Sequence, residues 1–146
     1  MTIKFLPFSE CSPSQIADAF ALRQRVFIIE QQCFYEDIDG ADPQASHLFL
    51  YDGETLAAYL RYFAPGTRYS EASLGRITVE KKYRGGDAGR KLIKTGITKA
   101  LKCHPKAGIR IEAQAALTDY YTKYGFKPSS EVYVVDGIDH IQMVLR

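Results

Sequence analysis

Arg84-Gly85-Gly86-Asp87-Ala88-Gly89 is the stretch of this chain whose residue types and spacing suit the binding of an anion. Glycine lets the backbone approach a ligand closely and point successive N–H groups at it. Ala88, Leu92, Ile93, Ile97, Ala100 and Leu101 then recur with the period of one helical face. The turn therefore feeds a helix N-terminus, whose unpaired donors and positive dipole end favour negative charge. The spacing is neither the G-x-x-x-x-G-K-[ST] of a P-loop nor the G-x-G-x-x-G of a dinucleotide fold. Gly85-x-x-x-Gly89 does not lie in an apolar segment, so it is no membrane dimer motif. The anion expected here is a diphosphate. Side chains that could take a proton from a ligand bound beside it are Glu30, Glu112, His47 and His140. Each also reads as an ordinary structural or surface residue.

These residues need a scaffold. Residues 72–80 form an apolar strand that leads into the turn, and residues 108–113 form another after Pro105 ends the helix. Upstream, residues 3–7 read as a short strand. Ser12-Pro13-Ser14 starts a helix, with Ser12 as cap and Pro13 at the first helical position. Its apolar face, Ile16, Ala19, Phe20, Leu22 and Phe27, extends toward Gln32. Residues 34–43 have turn chemistry and read as a loop. Residues 47–51 and 56–63 are apolar runs joined by Asp52-Gly53, a hairpin signal, and their near-continuous apolarity predicts strands covered on both faces. Residues 64–69 form a turn. Downstream, residues 118–124 form a short helix, capped by Thr118 and stopped by Gly125. Residues 131–135 and 138–145 form a second hairpin at Asp136-Gly137. The order β-α-β-β-β-α-β-α-β-β predicts an α/β chain, a mixed sheet with helices on both faces.

The totals narrow the class. A chain of 146 residues, 46% apolar and 25% charged, is expected to be one domain over residues 1–146. There is neither an apolar run long enough to span a membrane nor a signal-peptide pattern, so no membrane partner is expected. Cys11, Cys33 and Cys103 lack C-x-x-C spacing, which points away from a disulfide framework or metal site and toward a cytoplasmic setting. The net charge of +2 hides an asymmetry. Residues 81–106 carry nine Lys or Arg against the single acid Asp87, while residues 30–42 carry five acids and no base. One region is expected to attract phosphates and the other a cation, unless both are simply solvated faces.

Three stretches resemble the GCN5-related N-acetyltransferase (GNAT) superfamily, and within it the ElaA-like proteins. Residues 84–89 are similar to the superfamily's acyl-CoA loop, [QR]-x-x-G-x-[GA]. Tyr121-Thr122-Lys123-Tyr124-Gly125-Phe126 is similar to its Y-x-x-x-G-F ending. Leu22-Arg23-Gln24-Arg25-Val26-Phe27, Glu30-Gln31, Ile38-Asp39-Gly40, His47 and residues 137–143 are similar to the ElaA-like group. The resemblance implies a GNAT-type acyl-CoA N-acyltransferase fold with a central sheet of six to seven strands. It implies transfer of an acetyl group from acetyl-CoA to a primary amine of a small molecule or peptide, by direct attack, with no metal. The chain departs from the pattern at Asp87, where the superfamily usually has glycine. That carboxylate either caps the helix and competes with the diphosphate for the same donors, or points outward at little cost.

The same resemblance distributes roles. The diphosphate falls on the N–H groups of Arg84, Gly85, Gly86, Asp87, Ala88 and Gly89, with Arg90 and nearby lysines adding positive potential. The pantetheine arm runs along the strand at Ile77, Thr78 and Val79, whose Val79 N–H is the candidate to polarise the thioester carbonyl. Gln114 and Tyr124 are expected beside the cofactor. Tyr121 is the expected general acid, since a phenol near ~10 and a thiol near ~8.5 are close to balanced. Glu30 and His140 are the expected bases or acceptor-side groups. Two rival readings stand: an acyl-CoA-binding protein of this fold without catalysis, and a nucleic-acid binder using the basic helix. The second is disfavoured because residues 81–106 hold one aromatic, Tyr83, and no stacking platform, so no nucleic acid is expected. A homodimer is compatible with the sequence.

Overall fold

The structure, a computed structural model, describes residues 1–146. The chain forms β1 (Thr2–Pro7), α1 (Pro13–Arg23), β2 (Ser46–Asp52), β3 (Thr55–Phe63), β4 (Ala72–Val79), α2 (Ala88–Cys103), β5 (Ile109–Gln114), α3 (Thr118–Thr122), β6 (Lys127–Pro128), β7 (Tyr133–Val135) and β8 (Ile138–Leu145). They build one sheet in the order β1-β2-β3-β4-β5-β8-β6, with β7 also paired to β8. That is eight strands where six to seven are expected. The two-residue β6 accounts for the extra one, because Lys127-Pro128 is too short to carry an alternation. No helix is long and apolar enough to cross a membrane.

Both Asp-Gly hairpins form as expected, with Gly53 and Gly137 at positive φ. Ser12 caps α1 through a reciprocal pair: its hydroxyl accepts from Gln15 N–H at 3.1 Å, and Gln15 Oε1 accepts from Ser12 N–H at 2.8 Å. The apolar face of α1 does continue past Arg23, but residues Gln24–Glu30 continue as a π-helix. Thr118 does not cap α3. It is the first helical residue and donates its hydroxyl to Ala115 O at 2.7 Å.

The two faces of the sheet carry different cores. Leu22, Val26, Ala19, Phe49, Leu56 and Tyr59 pack under α1. On the other face, Leu92 and Ile93 of α2 and Tyr121 of α3 pack with Leu60, Leu74, Ile111 and Met143. Fully burying an aliphatic side chain of this size is worth ~1.5–3 kcal/mol, so these two layers fix both helices against the sheet.

One irregularity opens the molecule. Tyr59 of β3 faces Thr78 of β4, and Arg61 faces Gly75, so Ile77 and Arg76 oppose the single residue Leu60. This is a β-bulge, with Arg76 in the left-handed region at φ 50°. A non-glycine residue held there costs ~1–3 kcal/mol. The surroundings hold it: Arg76 Nε lies 2.7 Å from Asp37 Oδ1, off the line of a hydrogen bond, and an NH2 group lies 3.3 Å from Asp39 Oδ2. The bulge bends β4 away from β5. These strands run parallel and pair only at Ala72 with Ile109 and Ser73 with Arg110. Beyond that point they diverge and leave a wedge.

Candidate active site

The wedge between β4 and β5 is a cleft of about 500 Å³, lined by Ile77, Thr78 and Val79 on one side and by Ile111, Glu112 and Gln114 on the other. Glu80 N–H donates across to Ala57 O at 2.8 Å. Bonding alternates along an antiparallel pair, so the N–H and C=O of Val79 point away from β3 and into the cleft. Val79 O accepts there from Arg84 Nε at 3.1 Å.

The glycine-rich turn stands at one mouth of this cleft. Arg84 N–H is not a free donor, because it bonds Lys81 O at 3.2 Å. Lys91 N–H is taken by Asp87 O at 3.0 Å. Every N–H between them, from Gly85 to Arg90, has no acceptor in the chain. The run of open donors is therefore shifted one residue from the expected 84–89. Gly85 makes the turn at φ 82°. Gly86, Asp87 and Ala88 line an adjoining pocket of about 450 Å³ with Lys82 and Lys91. Gly89 lines the main cleft. A Cβ at Gly89 would come within 3.2 Å of the Tyr120 hydroxyl and 3.4 Å of Val79 Cγ2, so a larger residue here would push the Tyr120 hydroxyl aside by a few tenths of an ångström.

Asp87 does not cap α2. Its side chain makes no capping bond, is 68% exposed, and lies 3.3 Å from Arg90 Nε. In the empty protein the carboxylate therefore occupies none of the turn's donors, the second of the two expected arrangements. Arg90 lines neither cavity.

Tyr121 projects from α3 into the cleft with 6% of its surface exposed. Its ring packs edge-on against Tyr120 and Phe126. The hydroxyl has no partner in the chain yet is not enclosed, so it opens on the cleft. Burial, and then Tyr120 and Tyr124, push this phenol well above its ordinary range. The phenol stays protonated through the neutral range. Tyr124 does not line the cleft. It donates to the Tyr120 hydroxyl at 3.2 Å, and Tyr120 is the ring that reaches the cleft beside Gly89.

The acceptor-side residues fall out differently from expectation. His140 faces away from Ile141 and Met143, as strand parity requires, and lines the cleft. Its Nδ1 lies 2.7 Å from Ile138 O. A carbonyl only accepts, so the proton sits on Nδ1 and neutral His140 keeps Nε2 as an acceptor. Glu112 also lines the cleft, where its carboxylate accepts from Tyr133 OH at 2.6 Å. Glu30 lines the cleft and, in the empty protein, accepts from Arg84 NH1 at 2.7 Å. Gln114 Nε2 donates to Gln31 Oε1 at 3.3 Å across the cleft.

His47 is not a candidate at all. It is 1% exposed beneath α1, between Tyr59 OH at 2.6 Å and Asp42 O at 3.0 Å, and burial lowers its pKa. Three of the five acids of residues 30–42 are paired in one network within the chain. Asp37, Asp39 and Asp42 are committed to the buried guanidinium groups of Arg23 and Arg61 and to Arg76. Arg23 reaches Asp37 at 2.8 Å and Asp42 at 2.7 Å with none of its side chain exposed. This network anchors the loop at one rim of the cleft. The buried arginines are a feature that sequence reasoning missed. Arg61 within the apolar run of β3 was the available signal, since a buried charge requires a partner.

The acetyltransferase (GNAT) domain family matches residues 9–146. A UPF0039 protein of Synechocystis is 42% identical over 95% of this chain and 91% of its own length. Protein ElaA of Escherichia coli is 35% identical over 94% of this chain and 92% of its own. Among solved structures, E. coli ElaA superposes with a TM-score of 0.94 at 33% identity, covering 99% of both chains. An acyl-CoA N-acyltransferase from Pseudomonas aeruginosa gives 0.95 at 29% identity, again covering 99% of both. A sheet split at the β4 bulge, a run of open donors at the start of α2 and these whole-chain likenesses agree: the chain belongs to the GNAT acetyltransferase family, among its ElaA-like members.

Proposed function

We propose that this protein is an acetyl-CoA-dependent N-acetyltransferase that acylates a primary amine by direct attack. The observation that carries the reading is a single wedge lined by Val79, Tyr121 and His140, with the open N–H run of residues 85–90 at its mouth. Acetyl-CoA, as the acyl donor, supplies a thioester activated toward amines.

The residues fit that donor. The N–H groups of residues 85–90, with Lys82 and Lys91 beside them, suit a diphosphate. Val79 offers an outward C=O and N–H on the open edge of β4. The C=O suits an amide of the pantetheine arm, and the N–H suits a carbonyl oxygen that gains charge. Tyr121 presents a protonated hydroxyl for the departing sulfur. His140 Nε2 accepts a proton from the amine, directly or through water, on the face of the sheet opposite Tyr121. An alkylamine of pKa ~10.4 is mostly protonated at pH 7, so removing that proton is a requirement of the reaction.

The test is thiol release from acetyl-CoA over a panel of primary amines, with wild type and Tyr121→Phe measured together. Amine-dependent release that falls in the variant supports the reading. Saturable coenzyme binding with no release for any amine would support an acyl-CoA binder instead.

A further inference from the structure

Residues 30–33 make contact with three separate walls of the cleft. Glu30 Oε2 accepts from Arg84 NH1 at 2.7 Å, on the glycine-rich turn. Gln31 Oε1 accepts from Gln114 Nε2 at 3.3 Å, at the end of β5. Cys33 donates its thiol to Asp136 O at 3.0 Å, in the turn between β7 and β8. Glu30, Gln31 and Cys33 all line the cleft. They follow the π-helical segment Gln24–Glu30, and Gln32 lies in the left-handed region at φ 50°. Little apolar surface holds them down: Ile29 and Phe34, on either side, are 59% and 88% exposed. By contrast, Arg25 ties the body of the π-helix to Glu80 at 2.7 Å.

We propose that residues 30–33 form a strap that closes the acceptor side of the cleft in the empty protein, and that the donor's diphosphate releases it by taking Arg84 from Glu30. This rests on the acyltransferase reading above. Arg84 is the shared part. In the empty protein its guanidinium bonds both Glu30 and Val79 O, the carbonyl the donor's arm needs. Seating the donor breaks both contacts at once, and a diphosphate beside residues 85–90 gives the guanidinium a more highly charged partner. The strap then keeps only a long amide contact and a thiol contact. The acceptor amine therefore reaches the wedge only after the donor has bound.

Two measurements test this on the full chain with coenzyme A as the probe. In hydrogen exchange, saturating coenzyme A is expected to slow residues 84–90 and speed residues 28–34. Slowing or no change at 28–34, with 84–90 protected, overturns the strap and leaves the acyltransferase reading standing. No protection at 84–90 overturns both. In titration calorimetry, Glu30→Gln is expected to bind coenzyme A about two- to fivefold tighter, because Arg84 no longer has to leave a carboxylate. The two side chains are 38% and 37% exposed, so solvent keeps the gain small. Unchanged or weaker binding by the variant overturns the proposal.

Discussion

Tyr121→Phe separates the chemistry of the phenol from its packing. The ring fills the space between Tyr120 and Phe126 and is 6% exposed. Phenylalanine keeps that volume. The hydroxyl bonds nothing in the chain, so its loss leaves no buried group unpaired. The melting temperature is therefore expected to stay within ~2 °C of wild type. In the proposed reaction the phenol, its pKa raised by burial, would give the departing sulfur a hydrogen bond. A hydrogen bond to a charged partner is worth ~1.5–3 kcal/mol. At 1.36 kcal/mol per decade this gives a fall in kcat of ~10- to 150-fold. The donor's KM is expected to change less than ~3-fold, because the diphosphate and arm contacts lie elsewhere. Steady-state thiol release at saturating amine, with circular dichroism melts as control, measures all three. A kcat within ~3-fold of wild type, in a variant that binds coenzyme A normally, would refute the role given to Tyr121.

Other outcomes follow from particular contacts. His140→Gln is expected to lower kcat by ~10²-fold while coenzyme A affinity stays unchanged, read by the same assay and by calorimetry. Arg23→Ala leaves Asp37 and Asp42 enclosed without their shared cation, which is expected to cost ~3–5 kcal/mol in urea unfolding. Glu71, 5% exposed, bonds Arg110 through both oxygens and also Arg146. The Arg110 hydrogen bonds are the main reason its pKa falls from 4.5 to about 2. A depressed carboxylate stabilises the fold above its unfolded pKa, and that stability drains away as pH falls from 4.5 to about 2. Glu71→Gln is expected to melt lower at pH 7 and to lose less stability between pH 5 and 2 than wild type, measured by thermal denaturation across that range.

The parts of the fold legible in the sequence are those written in local chemistry. Asp52-Gly53 and Asp136-Gly137 specify tight turns by themselves, Ser12-Pro13 specifies a helix start, and the stripe from Ala88 to Leu101 specifies the helix that presents the open donors. Of the candidate site, the residues that motifs point to lie at the cleft or its mouth: Tyr121 and Gly89 line the one, and residues 86–88 the adjoining pocket. The site was not legible where partners come from afar. Glu30 reads as an unpaired carboxylate until Arg84, distant in sequence, is seen to hold it. The acids of residues 30–42 read as one exposed negative face until Arg23, Arg61 and Arg76 are seen to pair with three of them, Asp37, Asp39 and Asp42. The bulge at Arg76 decides where β4 and β5 part, and its one local sign in the sequence is Gly75, directly before it in the strand. Tyr120 was overshadowed by its neighbours Tyr121 and Tyr124, and only the closeness of α2 to β4 at Gly89 shows that it faces the cleft.

A crystal structure of the chain with coenzyme A tests the central claim most directly. The diphosphate is expected on the N–H groups of residues 85–90, with the arm along the open edge of β4 and the sulfur within hydrogen-bond reach of the Tyr121 hydroxyl. A diphosphate bound away from that turn, or a sulfur separated from Tyr121 by the sheet, would contradict it.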